Sequence, residues 1–339
     1  MINSRSDRKG SSGIAYQDGS VSLINIVLKP RKIEPRFAEY LLKSYYFIEE
    51  FYRYGKGIVA DLWTTRYDDM KSMMIPLPPA EEQIRIADFL DRKILEIKRF
   101  VSTKENTIAL LIDRLETKKE FLLNKFDGGK TLKLKFEVNL LPGYAFKSEI
   151  FAGTESGVRL LRGINVNPHS INWNEVVYYP FNKANSLKDF LLKEGDIVIG
   201  MDRPWVNQGI RVAKISKEDA GSLLVQRVAR LRVKNNLDQD FLYVLLHGKK
   251  FQQYFDPILT GISVPHISGD QILNFEVNIP DKASQVSIVN DIEDDQQWTD
   301  RTISQIKREI TLIEEYQQAT INEAVTGKID VRSKMLVYD

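Results

Sequence analysis

The sequence contains no set of side chains at a spacing suited to catalysis. There is no cysteine, which excludes a thiol nucleophile, a disulfide and a thiolate zinc site. His169 and His247 have no histidine, aspartate or glutamate at metal-ligand spacing. The segment 261–265 resembles a nucleophile turn but lacks its second glycine, and no Walker or other glycine-rich loop suits a nucleotide. The sequence therefore predicts a protein that is not an enzyme and that needs neither metal nor cofactor.

Composition narrows the class of protein further. The chain has 339 residues, which is enough for two or three domains, and 43% are hydrophobic. No apolar run approaches the ~18 residues of a membrane span, and the N-terminus does not resemble a signal peptide. Together with the missing cysteine, this favours a cytoplasmic protein. A net charge of +2 is low for a non-specific nucleic-acid coat, so any DNA contact should be local.

An internal repeat organises the chain. Gln83 and Gln285, which follow similar proline-led segments, are 202 positions apart. The segments 36–42 and 240–246 are similar at an offset of 204, and the segments that begin at Gly13 and Gly209 at an offset of 196. Because loop insertions shift such offsets, the pattern indicates two copies of one module.

Each copy ends in a long heptad pattern. A sustained 4-3 spacing of apolar residues predicts a coiled coil, so we expect spacer helices at 79–126 and 281–330. At ~1.5 Å per residue, such helices would extend on the order of 65–70 Å. The predicted seam residues are Leu90, Ile94, Ile97, Val101, Ile108, Leu111 and Leu115 in the first helix, and Ile292, Ile303, Ile306, Ile310 and Ile313 in the second.

The segment between the helices, 127–280, contains short β-rich runs separated by glycine, proline and asparagine turns, which predicts an α+β domain. One helix is expected at Leu237–Phe255. Residues 1–78 align with the back half of this domain, from about Val198 onward, so we expect them to form a partial first copy. Residues 331–339 are expected to be a tail.

Four segments together resemble the specificity subunit of type I restriction–modification systems: Ile75–Gln83, Pro142–Ser148, Lys193–Val198 and Asn322–Asp330. The resemblance implies two target-recognition domains that each read half of a split DNA site. It also implies two antiparallel helices that separate the domains and dock two methyltransferase subunits, with a motor–nuclease subunit as a further partner. The specificity subunit itself performs no chemistry.

If residues 127–280 read double-stranded DNA, arginine to guanine and asparagine or glutamine to adenine are the expected contacts. The candidates lie in predicted loops and strand ends: Lys147, Ser148, Arg159, Arg162, Asn165, Asn167, Arg203, Trp205, Asn207, Gln208, Ser263 and His266.

Several of these residues also have simpler explanations. Arg159, Arg162 and Arg227 are equally well explained as solvent-facing strand residues, and Trp205 more often anchors such a loop than wedges into DNA. For His266 we favour DNA contact. We expect Gln83 and Gln285 to cap the N-termini of their own helices, with partner docking as the second reading, and the seam lysines Lys104 and Lys118 to tune helix register.

Two alternative functions stay open at this point. The chain could be a regulatory decoy, or a split specificity subunit that scaffolds methyltransferase subunits or associates with a second copy or a complementing fragment. A nuclease is disfavoured, because no carboxylate–lysine set recurs in both copies.

Overall fold

The computed structural model describes residues 1–58, 63–125, 130–151, 157–207, 209–234, 236–259 and 265–332. It contains two compact units, the first formed by Met1–Leu111 with Arg301–Asp339 and the second by Ile112–Asp300. The helices are α1 (Pro35–Lys43), α2 (Tyr45–Arg53), α3 (Tyr67–Met70), α4 (Ala80–Asn124), α5 (Phe181–Ala184), α6 (Gln239–Leu246), α7 (Lys249–Leu259), α8 (Gly269–Asn274) and α9 (Lys282–Val325). Within the described ranges, no helix is long and apolar enough to cross a membrane.

The strands of the first unit are β1 (Ile2–Asn3) and β2 (Asn25–Ile26). Those of the second unit are β3 (Lys130–Lys133), β4 (Val138–Pro142), β5 (Gly157–Leu161), β6 (Val166–Asn167), β7 (Ser170–Ile171), β8 (Tyr178–Pro180), β9 (Ile197–Gly200), β10 (Trp205–Val206), β11 (Gly209–Ile210), β12 (Val212–Lys214), β13 (Leu223–Leu224), β14 (Val228–Val233) and β15 (Glu276–Ile279).

The two long helices, α4 and α9, follow the heptad pattern. They contain 45 and 44 residues, and each begins directly after or close to its predicted proline. All twelve predicted seam residues, from Leu90 to Ile313, are buried or half-buried. By contrast, Leu110, which lies off the seam, is 69% exposed.

In the first unit, the start of α4 packs against the end of α9. Ile86 and Leu90 share one apolar core with Ile321 and Val325. Further along, the seam residue Lys104 places its ammonium 2.6 Å from the carboxylate of Glu309 on the other helix. The helix segments in this unit are therefore antiparallel.

The second unit repeats this arrangement with the helices exchanged. Leu122 and Leu123, at the end of α4, pack against the core that contains Ile288 and Ile292 near the start of α9. The seam residue Lys118 lies 3.0 Å from the carboxylate of Asp295. The predicted α+β class with antiparallel long helices is thus confirmed.

Apolar side chains pack on both faces of the main sheet of the second unit. Its strand order is β12-β9-β14-β4, with every neighbouring pair antiparallel. Strand β9 is buried along its whole length, because Ile197 and Ile199 enter one apolar cluster and Val198 enters another on the opposite face. A smaller sheet has the order β13-β5-β8. Loops at the ends of these strands carry several of the candidate DNA-contacting residues, among them Lys147, Arg162 and Arg203.

The prediction of one helix at Leu237–Phe255 was wrong, because the structure has two helices, α6 and α7. They are separated at Gly248, where a β-carbon would lie 3.2 Å from both Leu123 Cδ1 and the Leu245 carbonyl oxygen. The backbone N–H of Lys249 donates to Glu120 on α4 at 2.6 Å. Glu120 thus accepts the N–H of Lys249, which in a continuous helix would donate to the carbonyl of Leu245.

The first unit contains counterparts of several elements of the second, including β9 and β14. In the second unit, Val198 pairs with Arg230 and Ile199 with Ala229. Subtracting 196 from the β9 positions and 204 from the β14 positions gives Ile2 opposite Ile26 and Asn3 opposite Asn25. These are the observed pairs of β1 and β2. The repeat therefore extends to the pairing of these strands.

Candidate nucleic-acid interface

Three loops of the second unit meet where β9 ends and β14 begins, and backbone hydrogen bonds hold them together. The N–H of Met201 donates to the carbonyl of Arg227 at 2.9 Å, and the N–H of Ile267 donates to Met201 at 2.9 Å. The N–H of Arg203 donates to the carbonyl of Pro265 at 2.7 Å. Residues that are far apart in the sequence thus form one continuous surface.

Asp202 lies at the centre of this surface and holds two basic side chains. Its Oδ1 is 2.6 Å from Nδ1 of His266, and its Oδ2 accepts a hydrogen bond from the guanidinium of Arg227. Burial acts to raise the pKa of the Asp202 carboxyl, but the hydrogen bonds from Arg227 and His266 outweigh it and lower that pKa below its ordinary value. The ionised carboxylate therefore orients two side chains that remain 67% and 51% exposed.

The backbone at this surface is strained at two arginines. Arg203 has a φ of 44° and Arg227 a φ of 67°, in the left-handed region that L-residues with side chains rarely adopt. Such conformations cost free energy and concentrate at sites where function requires a particular side-chain direction. Asp202, Arg203, Arg227 and His266 are hereafter called the Asp202 cluster.

Arg211 holds the loop of the Asp202 cluster through hydrogen bonds to the backbone. Its guanidinium donates from Nε to the carbonyl of Val166 at 2.9 Å and from Nη1 to the backbone carbonyl of Asp202 at 3.2 Å. Burial lowers the pKa of this guanidinium. Because both of these contacts are with backbone oxygens, Arg211 ties the hairpin β6–β7 to the loop that carries the cluster.

The predicted DNA-contacting residues differ in their accessibility. Exposed are Lys147, Arg203, Asn207 and His266. Half-buried are Arg159, Arg162, Asn167 and Trp205, and Asn165 is buried. Gln208, Ser263 and the side chain of Ser148 lie outside the described residues. Of the exposed residues, Arg203 and His266 belong to the Asp202 cluster, and Asn207 lies in the turn between β10 and β11.

Three predicted residues make contacts inside the unit. Asn165 is 1% exposed, and its amide accepts from the N–H of Arg162 at 3.0 Å and donates to the carbonyl of Asn172 at 2.9 Å. The guanidinium of Arg162 donates to the carbonyl of Glu175. That of Arg159 lies over the ring of Trp173, 4.5 Å from its centroid. These contacts favour the structural role that the sequence left open for the two arginines.

The aromatic candidate, Trp205, packs inward. Its ring centroid is 6.2 Å from that of Phe251 and 5.7 Å from that of Phe255, and the residue borders the main core. This geometry corresponds to a loop anchor. His169 and His247 stack with centroids 4.0 Å apart, and the described residues contain no group of side chains suited to a metal ion.

The glutamines of the repeat do not cap their own helices, which corrects the sequence-based expectation. Gln83 donates to the carbonyl of Pro78 at 2.7 Å and accepts from the N–H of Glu34 at 2.7 Å. Glu34 is the N-cap residue of α1. The glutamine therefore joins the start of the long helix to the start of α1.

Gln285 makes the equivalent contacts in the second unit. It donates to the carbonyls of Pro280 and Asn236, both at 2.8 Å, and accepts from the N–H of Asp238 at 2.7 Å. Asp238 is the N-cap residue of α6. Both glutamines are buried, with exposures of 2% and 0%. We call this arrangement the glutamine lock.

Sequence reasoning missed Asp202 and gave Arg227 no preferred role. The partners of Asp202 lie 25 and 64 positions away, so no local pattern connects them. The positive φ of Arg227 also leaves no mark in the sequence, because arginine is not a residue that predicts a left-handed turn.

Comparisons with known proteins give a consistent answer. Residues 174–312 match the family described as type I restriction modification DNA specificity domain. The chain is 29% identical over 276 residues to the type I restriction enzyme MjaVIII specificity subunit of Methanocaldococcus jannaschii, covering 78% of this chain and 64% of that protein. It is 40% identical over 147 residues to the EcoAI specificity subunit of Escherichia coli, covering 43% of this chain and 24% of that protein.

Two solved structures share the fold. The HsdS subunit from Thermoanaerobacter tengcongensis superposes with a TM-score of 0.60 at 18% identity, over 87% of this chain and 71% of that one. A chain from a study of complex assembly and conformational transition of the type I R-M system gives a TM-score of 0.67 at 16% identity, over 88% of this chain and 72% of that one.

The aligned regions span less than two thirds of the curated relatives' own length, 64% of one and 24% of the other. Over the aligned residues, the sequence and the fold agree with the resemblance that the proline-led helix starts indicated. Residues 174–312 match the type I restriction modification DNA specificity domain, and the chain is similar in sequence and in fold to type I restriction–modification specificity subunits.

Proposed function

We propose that this chain is a non-catalytic specificity subunit that recognises a DNA half-site through residues 127–280. The observation that carries the proposal is the Asp202 cluster, which lies inside the matched specificity domain. There, one half-buried carboxylate orients Arg227 and His266 beside the strained Arg203, and all three basic side chains reach solvent.

The chemistry of the cluster suits contact with DNA. Arginine presents a planar fork of donors to guanine or to phosphate, and oriented side chains lose less conformational entropy on binding. Asp202 offsets part of the local positive charge, so the cluster is suited to directed hydrogen bonds more than to non-specific attraction. Asn207, exposed at the neighbouring turn, adds a side chain that can pair with adenine.

The long helices are the proposed docking surface for methyltransferase subunits. In the first unit, Leu95, Leu110 and Leu312 are 49%, 69% and 54% exposed although they lie on well-formed helices. In the second unit, Phe121 is 58% exposed on α4. A bound methyltransferase subunit would remove these apolar side chains from water, and contiguous apolar surface of this kind is typical of protein-binding sites.

The test is co-expression of the chain with a type I methyltransferase subunit, followed by sequencing of the methylated positions. A defined methylated motif is expected. A bipartite motif would show that both units read DNA, and a single half-site, or a palindrome of one half-site, would assign reading to the second unit. If no methylation occurs although the subunits co-purify, the chain acts as a decoy and the proposal fails.

Variants of the cluster sharpen this test. Arg203→Ala and Arg227→Ala should each abolish or relax the motif, because a good bidentate contact is worth about 1–3 kcal/mol of discrimination. Lys217→Ala removes the same charge from an exposed turn at the opposite end of β12 and should leave the motif unchanged. Equal effects of all three changes would indicate only a general loss of positive charge.

A further inference from the structure

A large apolar groove crosses the first unit. Its volume is about 1220 Å³, and its lining includes Val27, Leu28, Leu42, Phe47, Met73 and Ile75. This exceeds the ~300–1,000 Å³ of ordinary small-molecule pockets. Several of the lining or bordering side chains are exposed, with Val27 at 67% and Ile75 at 42%.

The repeat identifies the counterparts of these residues in the second unit. An offset of 204 relates Val27, Leu42 and Phe47 to Leu231, Leu246 and Phe251, and an offset of 202 relates Met73 and Ile75 to Phe275 and Val277. All five counterparts are at most 5% exposed and belong to one core cluster. The largest contrast is at Val27, whose counterpart Leu231 has an exposure of 0%.

The segment 130–142 covers these counterparts in the second unit. Its side chains Leu134 and Val138 are buried in the same cluster, with exposures of 0% and 2%. Its backbone extends two sheets, because β4 pairs with β14 and β3 pairs with β15. The N–H of Leu134 also donates to the carbonyl of Phe275 at 2.9 Å.

The first unit leaves both of the equivalent strand edges open. The counterpart of β14 is 24–29, where β2 pairs with β1 along one edge only, and the counterpart of β15 is 74–77. Among the residues that the structure describes, no strand pairs with the other edge of β2 or with 74–77. Open edges beside an exposed apolar surface are the features that bind an added β-strand.

We propose that this groove binds an extended segment of a separate polypeptide that resembles residues 130–142 of this chain, added as a strand along 25–29 and 74–77. A second copy of this chain is a poor source, because its own segment 130–142 is buried in its sheet and core. Releasing that segment would expose Leu134 and Val138 to water.

A sequence difference between the two units sets where the pairing of the added strand with β2 should end. In the second unit, the N–H of Lys234 donates to the carbonyl of Glu137 at 2.7 Å. The counterpart of Lys234 is Pro30, which has no N–H to donate. We therefore expect pairing along β2 to end at Lys29.

The test uses the full chain and a fluorescently labelled synthetic peptide with the sequence of residues 130–142. We expect saturable binding of one peptide per chain, measured by fluorescence anisotropy, with slower amide exchange at 25–29 in the complex. Val27→Asp and Ile75→Asp place a carboxylate on the groove at exposed positions and should reduce affinity at least tenfold. Tyr45→Asp alters a 65% exposed residue of the same unit that does not line the groove, and should have no effect.

The outcomes separate the possible occupants. Absence of saturable binding overturns the proposal, and so does binding that Val27→Asp and Ile75→Asp leave unchanged, because the peptide would then have replaced its own copy in the second unit. If the chain instead forms a dimer that Ile75→Asp dissociates, the groove belongs to a second copy and the proposal is also wrong. None of these measurements uses DNA or methylation, so they do not depend on the proposed DNA reading.

Discussion

The glutamine lock allows a quantitative test of how each unit is held together. Gln285→Met removes the amide but keeps the approximate shape of the side chain. Three hydrogen bonds of 2.7–2.8 Å would be lost at a position with an exposure of 0%. A buried polar group left without its partner costs about 1–3 kcal/mol, so with partial relaxation we expect a destabilisation of about 3–5 kcal/mol.

Gln83→Met is the internal comparison in the first unit. It removes two hydrogen bonds, both of 2.7 Å, and should cost about 2–4 kcal/mol. Gln253→Met, at an exposed position of α7, is the matched control and should change stability by less than ~0.5 kcal/mol. Gln285→Glu keeps an acceptor but loses both donated bonds and buries a charge, so it should be no better than Gln285→Met.

Native-state amide exchange measured by mass spectrometry is the suitable assay, because two units need not unfold together. Gln285→Met should accelerate exchange at 236–240, and Gln83→Met should accelerate exchange at 32–37. Urea unfolding gives the total change in the free energy of unfolding. A loss below ~0.5 kcal/mol for Gln285→Met, or faster exchange that is not centred on 236–240, would refute the reasoning.

Three further predictions concern charges. Asp196→Ala removes a carboxylate that is 4% exposed and 2.7 Å from Nη2 of Arg232, so urea unfolding should show a loss of about 3–5 kcal/mol. Burial lowers the pKa of His247 to about 3, so below its unfolded pKa of ~6.5 the unfolded state binds more protons. Stability should therefore fall by about 2 kcal/mol between pH 7 and pH 5, and His247→Gln should flatten that slope in melts across this range. Lys104→Ala breaks the half-exposed pair with Glu309 and should cost only about 0.5 kcal/mol in thermal melts.

The sequence predicted best what depends on periodicity. The 4-3 spacing placed both long helices within a few residues of their observed ends, because a coiled-coil seam must repeat along the whole helix. The repeat offsets were also visible in the sequence, and once the strand pairing of the second unit is known they give the observed pairing of Ile2 with Ile26. These features are local or duplicated, and both kinds can be read from one chain.

What the sequence could not predict depends on contacts between distant residues. Glutamine after a proline is equally suited to capping its own helix, and only the fold brings Asp238 within 2.7 Å of Gln285. The break at Gly248 requires the approach of α4, and the Asp202 cluster requires three loops to meet. Asn165 resembles a loop residue in sequence, yet the fold uses its amide to close a turn.

The way each long helix contributes to both units has a consequence for how such proteins diversify. The second unit comprises Ile112–Asp300, so its limits fall inside α4 and α9 and not at the ends of the β-rich domain. Leu122 and Leu123 at the end of α4 pack against the core of this unit. Glu120 on the same helix accepts a hydrogen bond from the start of α7. A hybrid made by joining chains in the middle of the two helices therefore transfers the complete second unit with its supporting helix turns, and only the heptad register must match. A hybrid joined at the edge of the β-rich domain would leave the transferred domain without the last turns of α4 that pack against its core.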